Sequence, residues 1–469
     1  MGLKIYNTLS RSLEEFVPMS PGKVGMYCCG PTVHDFAHIG NFRTFVFADL
    51  VRRYLEFKGL AVDHVMNITD IEDKIIKRVR ENKTTLKEYT GKFEAAFCED
   101  LKALACKPPT QIPHATEYIP EIVSLIEKLV ARGVAYKAPD GSVYFSIEKY
   151  RGCGCKYGQL VNLNFEGMRV GERVSSDEYE KESVADFALW KARVPEDGDI
   201  FWPSPWGEGR PGWHIECSAM SMKCLGTSFD LHLGGEDLAF PHHEDEIAQS
   251  EGAGVQADGK PFVKYWMHGA HLLVEGKKMS KSLGNFFTLR DLLNKGFSGR
   301  EIRYLLLTAH YREQFNFTID GLQGARTALA RIDECLSKLR ELAKNASGGP
   351  DDLLLQKFSE ALDENLNISG AWGVIFEWVR QTNRLLAENK LDSTAAAAAL
   401  AAWQKIDAVF GIGVEKETEA PAELLVLLEE RQTARKAKDF KRSDAIRDEL
   451  KAKGWTIEDT TKGPRLKRI

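Results

Sequence analysis

A chain of 469 residues, 43% hydrophobic and 28% charged, holds enough material for about three packed domains. A net charge of −5 excludes a uniformly basic polynucleotide-coating protein, and no uncharged apolar run is long enough to span a bilayer. The N-terminal MGLKIYNTLSRSLEEF lacks the apolar core of a secretory leader, and Tyr6 stands where a myristoylation signal needs Ser or Thr.

The chain therefore reads as cytoplasmic, with its nine cysteines as thiols or metal ligands rather than disulfides. The first clear element is KVGMYCC, a buried strand. After the Gly30-Pro31 break, Phe47, Leu50, Val51, Tyr54 and Phe57 recur at helical spacing. GLAVDHVMNITD reads as a second strand, ending near Thr69. Together these make a β-α-β unit, the opening of a doubly wound parallel sheet. Ligands of such sheets sit beyond the carboxyl ends of the strands, where Cys29, His38 and Thr69 all fall.

The middle of the chain looks inserted. CKPPTQIPH is a Pro-rich break, followed by a helix with Ile122, Ile126, Leu129 and Val130 on one face. VAYKAPDGSVYFSI carries an Asp140-Gly141 turn between short strands. Sheet-like segments return at FDLHLGG and KYWMHGAHLLV. From about Gly321 the period becomes helical: Leu329, Ile332, Leu336 and Leu339 mark one helix, GGPDD breaks it, and others surround Trp372–Leu386 and TAAAAALAAW. GIGVEKETEAPA reads as a linker, and one last helix is expected through LLVLLEERQTARKAKDFKRSDAIRDELKAKG. The tail from Pro421 holds 13 Lys/Arg against 9 Asp/Glu, a charge of +4 on a body of −9. Such an appendage is either an RNA foothold or a solvated amphipathic helix.

Two short motifs carry chemistry. HIGN, 38–41, opens the first helix, whose free N–H groups and positive dipole suit phosphate; Gly40 lets a ligand approach the backbone. Four residues alone equally fit a capping histidine. KMSKS, 278–282, sets two lysines and two hydroxyls in a loop that can wrap a triphosphate and stabilise charge as pyrophosphate leaves.

HIGN with KMSKS resembles the signature pair of class I aminoacyl-tRNA synthetases. MYCCGPTVHDFAHIGN, NITDIEDKIIKR, WPSPWGEGRPGWHIECSAM, FPHHEDEIAQS, KMSKSLGNFF and the tail ARKAKDFKRSDAIRDEL resemble, more narrowly, the compact bacterial cysteinyl-tRNA synthetases, over nearly the whole chain. The resemblance implies an α/β fold: a Rossmann-type doubly wound parallel sheet with an inserted α+β subdomain, then an α-helical bundle and a small C-terminal domain. The expected division is a first half of the catalytic domain at 1–105, the insert at 106–225, the second half with KMSKS at 226–295, a helical bundle at 296–410 and a basic anticodon-recognition domain at 421–469.

It also implies a zinc ion held by Cys29, Cys217, His242 and Glu246. His242 and Glu246, four apart on a helix begun by Pro241, share a face, and two thiolates, an imidazole and a carboxylate suit zinc. His243 would sit on a different face. Without the resemblance PHHEDE is an acidic first helical turn. Cys28 should point to the opposite face of its strand, and Cys153 and Cys155 read as structural or surface thiols. Trp213 would line the thiol pocket; Thr69 and Asp237 would lie near the amino acid's polar end.

The implied activity joins L-cysteine to tRNA(Cys) through cysteinyl-adenylate, with Mg-ATP as co-substrate and the 2′-OH of the terminal ribose as acceptor. His38, Asn41, Lys278 and Lys281 would act on the phosphates, Gly40 and Ser280 would complete the ATP site, and Arg435, Lys436 and Asp439 would face tRNA. The working form is expected to be a monomer off the membrane. Departures from the pattern are Asn41 for a usual His and His34 for a usual Tyr. Alternatives are a cysteine ligase with an amino-sugar acceptor, which would lack the basic tail, and a non-catalytic RNA-binding paralogue, which should have lost lysines or ligands. A zinc hydrolase is disfavoured by the lack of an HExxH run.

Overall fold

The computed structural model describes residues 2–161, 173–174, 186–256, 259–280, 283–344, 346–413, 420–437, 439–453, 455–460 and 463–468. It begins with an antiparallel hairpin, β1 (Lys4–Asn7) and β2 (Ser12–Glu15). β3 (Lys23–Cys28) is the KVGMYC run. Its side chains split with period two: Val24, Met26 and Cys28 enter one core, while Tyr27 and the next residue but one, Cys29, enter another. α1 (Ile39–Phe57) lays Phe42, Val46, Leu50 and Tyr54, each four residues on, against the Val24 side. β4 (Ala61–Met66) then pairs in parallel with β3.

α2 (Asp73–Asn82) and α3 (Leu86–Ala103) follow; Thr85 and Glu88 close a capping box on the second. The Pro-rich stretch runs along the free edge of β4, bridged at Val65–Gln111 and Ile68–His114. Prolines lack the N–H that a central strand needs, so an edge suits them. The inserted part comprises α4 (Ile119–Ala131), β5 (Ala135–Lys137), β6 (Val143–Phe145), α5 (Ile147–Gly152), β7 (Arg173–Val174), β8 (Asp186–Ala192) and β9 (Gly209–Pro211). β5 and β6 form the expected hairpin, turning at Gly141 with φ +95°. Ile122, Ile126, Leu129, Val143 and Phe145 give this part its own apolar cluster.

α6 (Trp213–Leu225), β10 (Phe229–Gly235), α7 (Glu244–Gly252) and β11 (Val263–Gly269) complete the central sheet. Its order is β11-β10-β3-β4 with every pair parallel. α1 covers one face; Cys217 of α6 and Ile247 of α7 join Tyr27, Val65 and Trp266 on the other. This is the doubly wound sheet expected from the sequence. From β3 the chain moves to β4 on one side, then returns to place β10 on the other. The reversal makes the carboxyl ends of β3 and β10 the natural ligand crevice.

β12 (Leu272–Val274), β13 (Lys277–Lys278) and, after α8 (Leu289–Asn294) and α9 (Gly299–Leu306), β14 (Phe315–Phe317) form a small sheet. α10 (Ile319–Ala343), α11 (Asp352–Asp363), α12 (Ile368–Ala387) and α13 (Ser393–Phe410) are the helical region, with Leu329, Ile332, Leu336 and Leu339 buried as their spacing predicts. Arg303 of α9 is fully buried; it donates to Asp49 of α1 and to the carbonyls of Leu104 (3.0 Å) and Phe410 (2.6 Å). One guanidinium thereby ties α1, against the central sheet, to the helical region.

The chain divides at Ile412, and residues 413–469 form a second unit. It contains α14 (Ala422–Lys436), α15 (Phe440–Ala452) and an antiparallel pair, β15 (Trp455–Thr460) and β16 (Gly463–Arg468), around Leu424, Leu428, Ile446 and Leu450. Two helices stand where the sequence predicts one. Asp439 accepts the Arg442 N–H at 3.0 Å and caps a fresh start, overriding the helix-favouring run around it. Among the described residues no helix is long and apolar enough to cross a membrane.

Candidate active site

The turn from β3 to α1 contains both halves of the site. His38 is the N-cap of α1, and its Nδ1 accepts the Asn41 N–H at 3.2 Å. Asn41 Oδ1 accepts the His38 N–H at 3.1 Å, closing a reciprocal cap. With Nδ1 acting as acceptor, a neutral His38 carries its proton on Nε2, the form that donates to a phosphate oxygen. Behind it the chain must pass tightly: a Cβ on Gly30 would lie 1.6 Å from the Asn67 carbonyl oxygen. Gly40 lies beside KMSKS more loosely: a Cβ there would sit 3.0 Å from the His38 ring and 3.2 Å from Met279 Cε. The segment after KMSKS also meets HIGN. Ile39 N–H donates to Phe287 O at 2.9 Å, and the Phe286 ring lies edge-on to His38 at 5.4 Å.

Lys278 ends β13 with its side chain exposed. Ser280 N–H donates to Asn285 Oδ1 at 2.8 Å, and Asn285 Nδ2 returns to Lys278 O at 3.2 Å, so one asparagine shapes the loop from within. Lys281 and Ser282 lie outside the described residues.

On the other face of the turn, Cys29, Cys217, His242 and Glu246 converge, with one ligand atom from each within 4.8 Å of all others. Cys29 Sγ is 3.9 Å from Cys217 Sγ, 3.6 Å from His242 Nε2 and 3.6 Å from Glu246 Oε1; His242 Nε2 to Glu246 Oε1 is 3.2 Å. A tetrahedral zinc with bonds of about 2.3 Å to sulfur and about 2.0–2.1 Å to N or O has edges of roughly 3.8 Å (S–S), 3.6 Å (S–N, S–O) and 3.3 Å (N–O). The four separations given match those edges closely, and all four ligand atoms lie within 4.8 Å of one another.

His242 and Glu246 share a helical face, as their spacing predicts. Phe240 has extended backbone at φ −146° and ψ 132°, and the helical turns begin after it, at Pro241. His243, one position on, also reaches the cluster: its Nε2 is 3.5 Å from Cys29 Sγ, as near as His242. A second foursome of Cys29, His232, His243 and Glu246 therefore shares two members with the first. Only the first contains two thiols, the softer and more zinc-like set.

Electrostatics distinguishes the members. A hydrogen bond from Cys29, helped by His242, outweighs burial and holds the Cys217 thiol down at about 6. Burial pulls His242 down, but Cys217 and Glu246 outweigh it and raise the imidazole to about 10. Burial would raise Glu246; His232 and His242 overcome it and hold the carboxyl at about 2. Burial raises the Cys29 thiol. Two thiols, an imidazole and a carboxylate buried together form a donor set suited to a cation. Cys28 is buried on the opposite face, as alternation predicts, with its thiol pushed up to about 12 by burial.

Trp213, the first residue of α6, puts its ring 4.4 Å from the His242 ring, beside the cluster. Thr69 is buried and its hydroxyl accepts from Asn67 Nδ2 at 3.2 Å. Asp237 lies exposed just beyond β10. Cys153 is exposed and Cys155 half-buried, both as free thiols. In the second unit Arg435 and Lys436 are exposed in the last turn of α14, whereas the Asp439 carboxylate caps α15.

Several participants escape the sequence reading. Fully buried Asn67 accepts Gly30 N–H at 2.9 Å and stands 3.9 Å from Cys217 Sγ. His232 Nε2 lies 3.0 Å from Glu246 Oε2, with its ring stacked at 4.5 Å on Trp266. His243 Nδ1 contacts His268 Nε2 at 2.8 Å, and His268 Nδ1 contacts Thr8 Oγ1 at 2.8 Å. The one signal available was three histidines, His232, His243 and His268, in segments that also carry a presumed ligand or an adjoining strand.

Comparison with known proteins shows the family. Residues 15–327 match the family of class I (C) tRNA synthetase catalytic domains, 357–415 the DALR domain, and 417–464 the cysteinyl-tRNA ligase anticodon binding domain. The cysteine–tRNA ligase of Chlamydia muridarum is 46% identical over 100% of both chains. That of Protochlamydia amoebophila is 46% identical over 99% of this chain and 98% of its own.

The chain belongs to the cysteine–tRNA ligase family.

It is accordingly a class I aminoacyl-tRNA synthetase that activates cysteine and charges tRNA. The Rossmann-type architecture has remoter parallels. A Mycobacterium tuberculosis methionyl-tRNA synthetase in complex with methionyl-adenylate superposes with a TM-score of 0.58 at 14% identity, covering 82% of this chain and 89% of the other. The Agrobacterium radiobacter LeuRS in a ternary complex gives 0.59 at 12% identity, with 85% and 84% covered.

Proposed function

We propose that the turn after β3 is a two-sided site in which the Cys29 side selects the substrate thiol and the His38 side handles ATP. The observation that carries this is the convergence of two cysteines, a histidine and a glutamate, at tetrahedral spacing, on the same crevice as HIGN and the KMSKS loop. Cys29, Cys217, His242 and Glu246 would hold one Zn2+. Zinc bound there would take a thiolate and disfavour an alcohol, setting cysteine apart from serine where ordinary contacts discriminate such isosteres poorly.

The rest falls to the chain's own groups. Trp213 walls the thiol pocket, and Thr69 and Asp237 orient the polar end of the amino acid. The carboxylate attacks the α-phosphate of Mg-ATP in line. No protein nucleophile is needed, because positioning and charge stabilisation lower the barrier. His38 Nε2–H donates to phosphate oxygens at the α1 N-terminus, with Asn41 fixing its ring; Gly40 leaves room for the nucleotide. Lys278, Ser280 and Lys281 close over the departing pyrophosphate. The 2′-OH of the tRNA(Cys) terminal ribose then displaces AMP.

Arg435 and Lys436 meet the anticodon arm, where unpaired bases are readable by stacking and edge contacts. The domain division remains 1–105, 106–225, 226–295, 296–410 and 421–469, acting as a cytoplasmic monomer. Amino-acid-dependent exchange of pyrophosphate into ATP tests the reading. Strong exchange with cysteine and little with serine is expected; equal exchange with both would remove the metal filter.

A further inference from the structure

α7 opens with three consecutive acids, Glu244, Asp245 and Glu246, each with no exposed surface. Three buried carboxylates in one helical turn repel one another and are costly to desolvate unless each is matched. Glu246 is matched by His232 and His242. The other two are matched from a distant segment. Glu244 accepts the backbone N–H groups of Gly158 and Leu160, at 2.7 and 2.8 Å. Asp245 Oδ1 accepts the Tyr157 hydroxyl. Tyr157 and Leu160 are both buried, Leu160 within the apolar cluster that includes Cys29 and Cys217.

Asp245 also looks inward. Its Oδ2 lies 3.5 Å from His214 Nε2, and His214 Nδ1 lies 2.8 Å from His242 Nδ1. His242 presents its other nitrogen, Nε2, to Cys29 and Glu246. If an ion takes the Nε2 lone pair, Nδ1 of His242 must carry the proton and donate. His214 Nδ1 is then the acceptor, so His214 holds its own proton on Nε2, facing Asp245. A carboxylate oxygen facing that nitrogen favours that tautomer over its opposite, and Tyr157 donates into the remaining oxygen. Metal-binding histidines are commonly oriented by a carboxylate on the far nitrogen. Here the carboxylate acts through one additional imidazole.

We propose that Tyr157–Leu160 is a strap that positions His242 for the metal, through Asp245 and His214. The proposal rests on the zinc reading above, and Tyr157, Asp245 and His214 are positioning residues rather than ligands. The insert thereby contributes to the thiol site although its own strands lie outside the central sheet.

The test is zinc affinity of the full chain, by competition with a chromophoric chelator, together with the visible spectrum of the Co2+-substituted protein. Asp245→Asn keeps shape and removes charge, while Tyr157→Phe keeps the ring and removes the donor. Loss of an outer partner typically weakens metal binding by about 10–100-fold, which is expected for D245N, with about tenfold or less for Y157F and a shifted cobalt band in both. A purely structural role would lower the melting temperature of metal-free and metal-loaded protein alike and leave the spectrum unchanged. Should D245N fail to fold, Y157F alone decides. Wild-type affinity and an unshifted band in Y157F and in any folded D245N would overturn the strap. A wild-type protein that binds no zinc would instead overturn the metal reading beneath it.

Discussion

Cys217→Ser separates the two possible foursomes, because Cys29 and Glu246 belong to both while Cys217 belongs to one. The substitution changes one atom at a fully buried position, so its effect on packing is small. Its effect on the ion is large. Structural four-ligand zinc sites bind with about 10–16 kcal/mol, or roughly 2.5–4 kcal/mol per ligand, and an alcohol recovers little of that. At 1.4 kcal/mol per decade, C217S should weaken zinc by about 10²–10³-fold. His243→Asn should cost about tenfold or less if His243 only lines the cluster. Chelator competition at neutral pH measures both on folded protein, and serine-dependent pyrophosphate exchange should rise relative to cysteine only in C217S. A larger loss in H243N than in C217S would refute the reasoning and move the ion to the His232–His243 side.

Three further outcomes follow from other parts of the fold. Arginines 303 and 53 outweigh burial and hold the Asp49 carboxyl below the usual range. Asp49→Asn strands buried Arg303 and should cost about 3–5 kcal/mol in urea unfolding at neutral pH. Because the folded-state pKa is depressed, the wild-type advantage is present above about pH 4 and shrinks as pH falls through the folded value. Lys278→Ala should lower the maximal rate of pyrophosphate exchange by about 10²–10³-fold while leaving the KM for cysteine nearly unchanged, as expected for a group that meets charge developing on the leaving phosphates. Replacing Arg435 and Lys436 with alanine should leave exchange untouched and reduce tRNA charging by roughly 10–100-fold in kcat/KM; equal loss in both assays would contradict an anticodon role.

The central sheet was legible because its strands obey a short period. Val24, Met26 and Cys28 against Tyr27 and Cys29 state the two faces outright, and apolar spacing in α1 states the crossover. The helical region was legible for the same reason. Legibility failed where one polar side chain outweighs many neighbours. Nothing between Arg435 and Phe440 breaks a helix by propensity, yet the Asp439 cap divides it. His243 was assigned to another helix face than His242, and its Nδ1 does turn to His268 rather than to His214, yet its Nε2 reaches Cys29 as closely as that of His242. Asn67, His214 and Asp245 could not be read locally at all. Their meaning lies in partners that the chain brings in from elsewhere, such as Cys217, 150 residues from Asn67, or Tyr157, 88 residues from Asp245.

HIGN shows why a structural and a catalytic reading of one residue need not compete. As a bare tetrapeptide, His38 could be a cap or a phosphate ligand. In the fold it is the cap, and capping uses Nδ1. A neutral imidazole has one acceptor and one donor, so committing Nδ1 as acceptor places the proton on Nε2. The cap therefore supplies what a phosphate donor requires, a defined tautomer in a ring with fixed direction. Asn41 completes the arrangement through its carbonyl oxygen, which accepts the His38 N–H. An amide serves this purpose at every physiological pH, whereas an imidazole in its place would lose its acceptor on protonation. The departure at the fourth signature position thus preserves the feature that the proposed chemistry needs, the orientation of His38.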